Sequence, residues 1–320
     1  MSICAPSLKP FLAGLIDYAG LFPPANLSLK QAYTNFRSYL NGDDSWMLAR
    51  FIVPAARLSD FSTELSSTSI TESRLDFRCS VLGAAIKQST RLEDLLATDL
   101  QSILTFRNTF GDQPTLDVFE VTLPIGVDQI DDLTGRLAFL LTEQKLRPFF
   151  EISAQADWRT SASQVLAAIH SFNQSNLPPG PAGLKLRCGG VEVRAFPTTD
   201  NVAEVILACR DYGVPLKATA GLHHPIRHYN RAMGTRMHGF INVFGAGILA
   251  GIHDLSFSMT QEIVEEEDAK NFRFDDDVFH WRDLAATAIE IEQIRAYGLV
   301  FYGSCSFDEP REDMTSIGWL

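Results

Sequence analysis

The chain predicts an α/β fold closed into a (β/α)8 TIM barrel, on three observations. Short apolar runs alternate with amphipathic stretches up to about residue 250. The apolar runs lack strict alternation, as strands do when helices cover both faces of a parallel sheet. There are eight of them, which favours closure over an open doubly wound sheet. No Gly-x-Gly-x-x-Gly follows the first run, so a dinucleotide-binding sheet is disfavoured.

The strands are expected at 12–17, 50–54, 78–84, 117–123, 147–152, 183–188, 214–220 and 239–245. Helix patterns with start signals lie between them. Ser28 precedes Leu29, Ala32, Tyr33 and Phe36, and Thr90 precedes Leu92, Leu95 and Leu96 with Glu93 placed for a capping box. Ser161 or Ser163 opens a helix carrying Val165, Leu166, Ile169 and Phe172. Asp200 opens another through Val202, Val205, Ile206 and Cys209, and Gly213 stands at its C-terminal end. On this reading residues 1–250 form the barrel. Residues 251–320 form a C-terminal helical extension packing on it, with an acidic stretch from Glu265 to Asp277 and a helix from about Trp281 to Tyr297.

Composition narrows the class of partner. The chain has 320 residues, 46% of them hydrophobic, and a net charge of −12. That charge argues against nucleic acid or an anionic membrane as partner, and no apolar run is long enough to span a bilayer. Five cysteines, Cys4, Cys79, Cys188, Cys209 and Cys305, are odd in number and form no Cys-x-x-Cys pair. They read as reduced thiols of a cytoplasmic protein. No signal peptide is evident. The expected partners are a small anionic metabolite and, at most, further copies of the chain.

Two charges stand out because they interrupt strands. Lys185 lies in Gly183-Leu184-Lys185-Leu186-Arg187 and Lys217 in Leu216-Lys217-Ala218-Thr219. Alternation places Lys185, Arg187, Lys217 and Thr219 inside the barrel, and the same parity turns Asp17, Glu120, Glu151 and Asn242 inward. Buried charges must be paired or hydrated together, and barrels gather such groups at the C-terminal strand ends. A desolvated lysine beside a second lysine is expected to have a lowered pKa, which would make its amine a nucleophile towards carbonyl compounds.

The paired strands, from Leu184-Lys185 through Gly189 and then Leu216-Lys217-Ala218-Thr219-Ala220-Gly221, resemble those of deoxyribose-phosphate aldolase and its class I aldolase relatives. Leu15-Ile16-Asp17-Tyr18-Ala19-Gly20-Leu21, Val118-Phe119-Glu120 and Phe150-Glu151 are similar to that family's first, fourth and fifth strands. The resemblance implies a lyase in which Lys185 forms the Schiff base and Lys217 tunes it, with Glu120, Asp17 and Glu151 moving protons. No cofactor is implied. Arg187, Gly189, Gly190, Thr219, Gly221, His223, His224 and Asn242 would contact the substrate. The family's glycine-arginine phosphate cradle is replaced by Ala220-Gly221-Leu222-His223-His224-Pro225, so the resemblance leaves open whether the substrate is phosphorylated. Lys217 to Pro225 also resembles the hallmark segment of a bacterial family, a likeness that implies no activity.

Between Tyr212 and His253 there is no Asp or Glu, while five of the seven histidines fall there with Arg227, Arg231 and Arg236. This predicts a positive loop over the barrel mouth that attracts an anion, unless the arginines pair with the acidic tail. A second reading is a divalent-metal site built from His223 or His224, His238 and Glu120 or Glu151, serving a metal-dependent lyase, isomerase or hydrolase. A third is a non-catalytic barrel that binds an anionic metabolite.

Overall fold

The computed structural model describes residues 5–67, 76–84, 92–124, 129–152 and 158–320. After a short helix α1 (Leu8–Leu12) the chain runs β1 (Ile16–Tyr18), α2 (Leu29–Leu40), β2 (Leu48–Pro54), α3 (Leu58–Ser67), β3 (Arg78–Leu82) and α4 (Leu92–Phe110). It continues through β4 (Thr115–Leu123), α5 (Ile130–Glu143), β5 (Arg147–Ile152), α6 (Trp158–Asn173), β6 (Gly183–Arg187), α7 (Thr199–Tyr212) and β7 (Leu216–Thr219). Six of these strands match the expected runs closely; β1 overlaps the run expected at 12–17 only at Ile16 and Asp17, because Leu12 ends α1. Ser28 caps α2 by accepting the Gln31 N–H, and Gly213 ends α7 in the left-handed conformation. The α7 cap is Thr198 rather than Asp200, which lies in the first turn. Both Ser161 and Ser163 fall inside α6, and the Thr90 start signal lies outside the described residues.

The eighth strand is not at 239–245. After β7 come a small hairpin, β8 (His228–Asn230) and β9 (Thr235–Met237), then helix α8 (Phe240–His253) and α9 (Phe257–Glu265). A three-stranded antiparallel sheet follows, β10 (Phe272–Phe274), β11 (Val278–Trp281) and β12 (Leu284–Thr287), and then α10 (Ala288–Tyr297). Only then does β13 (Leu299–Ser304) close the barrel, between β7 and β1, before the last helix α11 (Asp308–Ser316). Residues 251–320 are therefore not an extension; they hold the closing strand. The helix expected from Trp281 is two strands and a shorter helix.

The run at 239–250 misled because α8 is buried on every side. Every residue from Phe240 to Ala250 is buried, and a helix apolar all round has the same unbroken hydrophobicity as a strand covered on both faces. Its length, beyond the usual strand, is the signal for helix. Gly247 lets it lie against the closing strand, since a Cβ there would stand 2.2 Å from Leu299 Cδ1.

All eight barrel strands are parallel. In register, Glu151 pairs with Lys185 and Lys185 with Lys217 across β5, β6 and β7. Two residues earlier on β4 and β5, Val118 and Phe149 form a small apolar cluster with Val300 and Phe301. It floors the interior beneath the charged layer.

Candidate active site

The inward charges meet as predicted by parity, and they alternate in sign. Lys217 Nζ lies 2.5 Å from Asp17 Oδ2 and 2.7 Å from Glu120 Oε1. Lys185 Nζ lies 2.7 Å from Glu120 Oε2 and 2.7 Å from Glu151 Oε2. Arg187 Nε donates to Glu151 Oε1 at 2.9 Å. Asp17, Lys217, Glu120, Lys185, Glu151 and Arg187 thus form one chain of ion pairs across the barrel.

Sequence reasoning missed three further members, Arg50, Asp117 and Ser80. Arg50, inward on β2, approaches Asp17 Oδ1 at 3.7 Å, binds Asp117 through two nitrogens and rests over the Phe301 ring. Ser80 on β3 donates to Glu120 Oε1 at 2.5 Å. The signal for Arg50 was present: it shares the parity of Ile52 in an apolar run, the same argument that singled out the lysines. With Arg50 and Asp117 included, four cations face four anions, so the interior is neutral without water supplying charge.

The pairing corrects the expected acidity of Lys185. Burial alone lowers its pKa, but Glu120 and Glu151 outweigh it, and Lys185 is held above its ordinary value. Both carboxylates, despite burial, are held below theirs by Lys185 with Lys217 at Glu120 and Arg187 at Glu151. The resting site contains an ammonium flanked by carboxylates rather than a free amine.

The lysines differ in access. Lys217 is fully buried, whereas Lys185 lines a cavity of about 230 Å³ at the C-terminal mouth with Glu120, Arg187, Thr219, His223 and Cys305. Gly190 also lines it. Gly189 and Gly221 serve the wall instead. Gly221 has φ +71°, and a Cβ there would stand 2.9 Å from Gly189 Cα, so both are small because the β6 and β7 ends touch backbone to backbone.

The other expected contacts separate. His223 reaches the cavity; its Nδ1 lies 3.1 Å from Glu309 Oε2 and 3.7 Å from Cys305 Sγ. Burial lowers its pKa, but Cys305 and Glu309 dominate and raise it to about 9. His224 turns away and pairs with Asp313 on α11, edge-on to His228. Asn242 is not in the barrel interior: on α8 it accepts the Arg227 N–H and donates to the Ile263 and Glu266 carbonyls. The positive field of the loop is also reduced, because Arg227 and Arg236 both pair with Glu267 in the acidic stretch.

The expected metal ligands are not gathered. His238 Nε2 meets the Pro197 carbonyl at 2.8 Å, while the Glu120 and Glu151 oxygens face lysine and arginine. Among the described residues no group of three or more His, Cys, Asp or Glu side chains is arranged to hold an ion. Among them, too, no helix is long and apolar enough to cross a membrane.

Fold and site together define a (β/α)8 barrel protein with a charge-paired lysine facing a small cavity at its mouth. The chain matches no protein-family model, and a search of curated proteins returns no similar sequence.

Proposed function

We propose that the protein is a class I aldolase-like lyase that makes or breaks a C–C bond of a small anionic carbonyl compound through an imine at Lys185. The observation that carries this reading is access: Lys185, between two carboxylates, lines the mouth cavity, while Lys217 stands behind it with no exposure. Lys185, Arg187 and Gly190 also line an adjoining cavity of about 760 Å³, so the volume itself sets no limit of a few carbons on the substrate. Arg187 and His223, which both line the cavity, suit an anionic group.

The chemistry needs the Lys185 proton to leave first. Arg187 is half exposed and holds Glu151. A substrate anion competing for Arg187 weakens that hold, raises the affinity of Glu151 for a proton, and makes it the acceptor. The neutral amine then attacks the carbonyl carbon, and the carbinolamine oxygen leaves as water with a proton from the carboxyl group. In the cleavage direction the iminium draws the electrons of the Cα–Cβ bond as a carboxylate takes the β-hydroxyl proton. An aldehyde leaves, and the enamine is protonated on carbon and hydrolysed. Lys217, anchored by Asp17, keeps Glu120 ionised throughout.

Borohydride reduction in the presence of small aldehydes and 2-keto acids, followed by peptide mapping, tests the proposal. An adduct at Lys185 is expected with any substrate that is turned over, and because the Lys185 proton passes to Glu151 and leaves with the carbinolamine water, its formation does not wait for loss of a proton to solvent. Turnover of a substrate that leaves no adduct at Lys185 rules out the imine. The paired ammonium also favours a second reading, a non-catalytic barrel in which Lys185 is the counter-ion of a bound metabolite. Lys185→Ala would then weaken binding with no turnover to lose.

A further inference from the structure

A second reactive cluster lines the cavity that Lys185 faces. Cys305 follows directly on β13, and both it and His223 line the cavity together with Lys185. Cys305 Sγ lies 3.7 Å from His223 Nδ1 and 4.0 Å from Nε2. Glu309, in the first turn of α11, places Oε2 3.1 Å from that same Nδ1. Its backbone is fixed there because Ser306 Oγ accepts the Glu309 N–H at 3.1 Å. With Nδ1 held by Glu309, proton exchange with the thiol falls to Nε2, the farther nitrogen at 4.0 Å. A thiol, an imidazole that carries a proton and a carboxylate that orients the imidazole are the parts of an activated nucleophile.

The other described cysteines lack this setting. Cys79, Cys188 and Cys209 are buried in the core, and burial pushes all three thiols up, Cys188 to about 12. None lines the cavity. The imidazole of His223, by contrast, holds a proton at neutral pH. The groups around it are Cys305 and Glu309 in contact, and Lys185, Arg187 and Glu120 on the cavity wall. Asp308, next to Glu309, is engaged by Tyr39 and Arg311.

We propose that Cys305, His223 and Glu309 form a second nucleophilic site, one that captures small aldehydes reversibly as thiohemiacetals in the cavity that Lys185 also faces. Lys185 and Cys305 line the same cavity, so a carbonyl compound that enters it is offered both nucleophiles. In the step, the Cys305 sulfur forms a bond to the aldehyde carbon and the π electrons of the C=O move to oxygen. That oxygen takes the proton held by His223 and the imidazole takes the proton of the thiol, so no oxidant or other co-reactant is required. The reverse step returns thiol, imidazolium and free aldehyde. The site stands whether or not Lys185 forms an imine.

Alkylation by iodoacetamide at pH 7, read residue by residue by mass spectrometry on the native protein, is the test. Cys305 is expected to react at least about tenfold faster than Cys79, Cys188 or Cys209, and His223→Gln to lower its rate about tenfold while the protein remains folded. Millimolar acetaldehyde is expected to protect Cys305, with reactivity restored on dilution. The same protection is expected in Lys185→Met, where no imine can form; should that variant not fold, Lys185→Arg keeps a cation between Glu120 and Glu151. Equal rates for Cys305 and the core cysteines overturn the proposal, as does an unchanged rate in His223→Gln. Protection that disappears with the Lys185 amine assigns the aldehyde to Lys185 alone and also overturns it. Failure of the imine reading shows separately, as missing borohydride adducts at Lys185.

Discussion

Glu120 is the residue on which the site turns, because each of its oxygens holds a different lysine. Glu120→Gln leaves two ammonium groups sharing Asp17 and Glu151, and removing one partner of a buried ion pair costs about 3–5 kcal/mol. That loss is expected in urea unfolding. In the protein that remains folded, Lys185 has one anion fewer, so its pKa falls and borohydride labelling at pH 7 should exceed that of the wild type. Labelling at the wild-type rate would show that Glu120 does not set the state of the amine. His223 makes a pH prediction of definite sign. Its folded pKa of about 9 exceeds the ordinary 6.5, so it contributes stability that is complete below pH 6.5 and is lost as pH rises through about 9. The melting temperature is expected to fall across that window, and His223→Gln to flatten the fall. An identical slope in the variant would remove His223 as its source.

At the scale of elements, α8 and α11 do the work that the sequence had given to a strand and a tail. Asn242 fixes α8 by satisfying one N–H and two carbonyls of the neighbouring segments. Asn242→Ala leaves the Arg227 N–H and the Glu266 carbonyl without this partner, while the Ile263 carbonyl keeps the Glu266 N–H; at roughly 1–3 kcal/mol for each group, the expected total is about 3 kcal/mol. Because the residue lies outside the barrel interior, Lys185 labelling in the folded variant should match the wild type. A labelling defect without loss of stability would return Asn242 to the site. Helix α11 brings Glu309 to His223 and Asp313 to His224, so one short helix fixes both adjacent histidines and sends them in different directions.

For the molecule as a whole, the decisive feature is that the barrel closes with β13, near the C-terminus. A fragment comprising residues 1–250 lacks this strand, so β1 and β7 are left as open edges and the apolar faces of α8 lose Leu299 and Phe279. Such edges drive aggregation. The fragment is expected to show no cooperative melt by circular dichroism; a soluble fragment with a sharp transition would contradict this account of closure. Neutrality of the interior is likewise a property of the whole barrel, since its paired charges come from six strands.

The sequence alone determined the barrel class, seven of its strands, and the inward set Asp17, Glu120, Glu151, Lys185 and Lys217. Period-two alternation in a run of apolar residues fixes which face a charge occupies, whatever lies around it. It carried Arg50 by the same rule, unread. What it could not fix was which of two long apolar segments is the last strand, because a helix buried on all sides and a strand buried on both faces have the same composition. Nor could it give the protonation of Lys185, which depends on distances between charges far apart in the chain. Burial by itself lowers that pKa; two carboxylates at 2.7 Å reverse the sign, and only the tertiary structure brings them there.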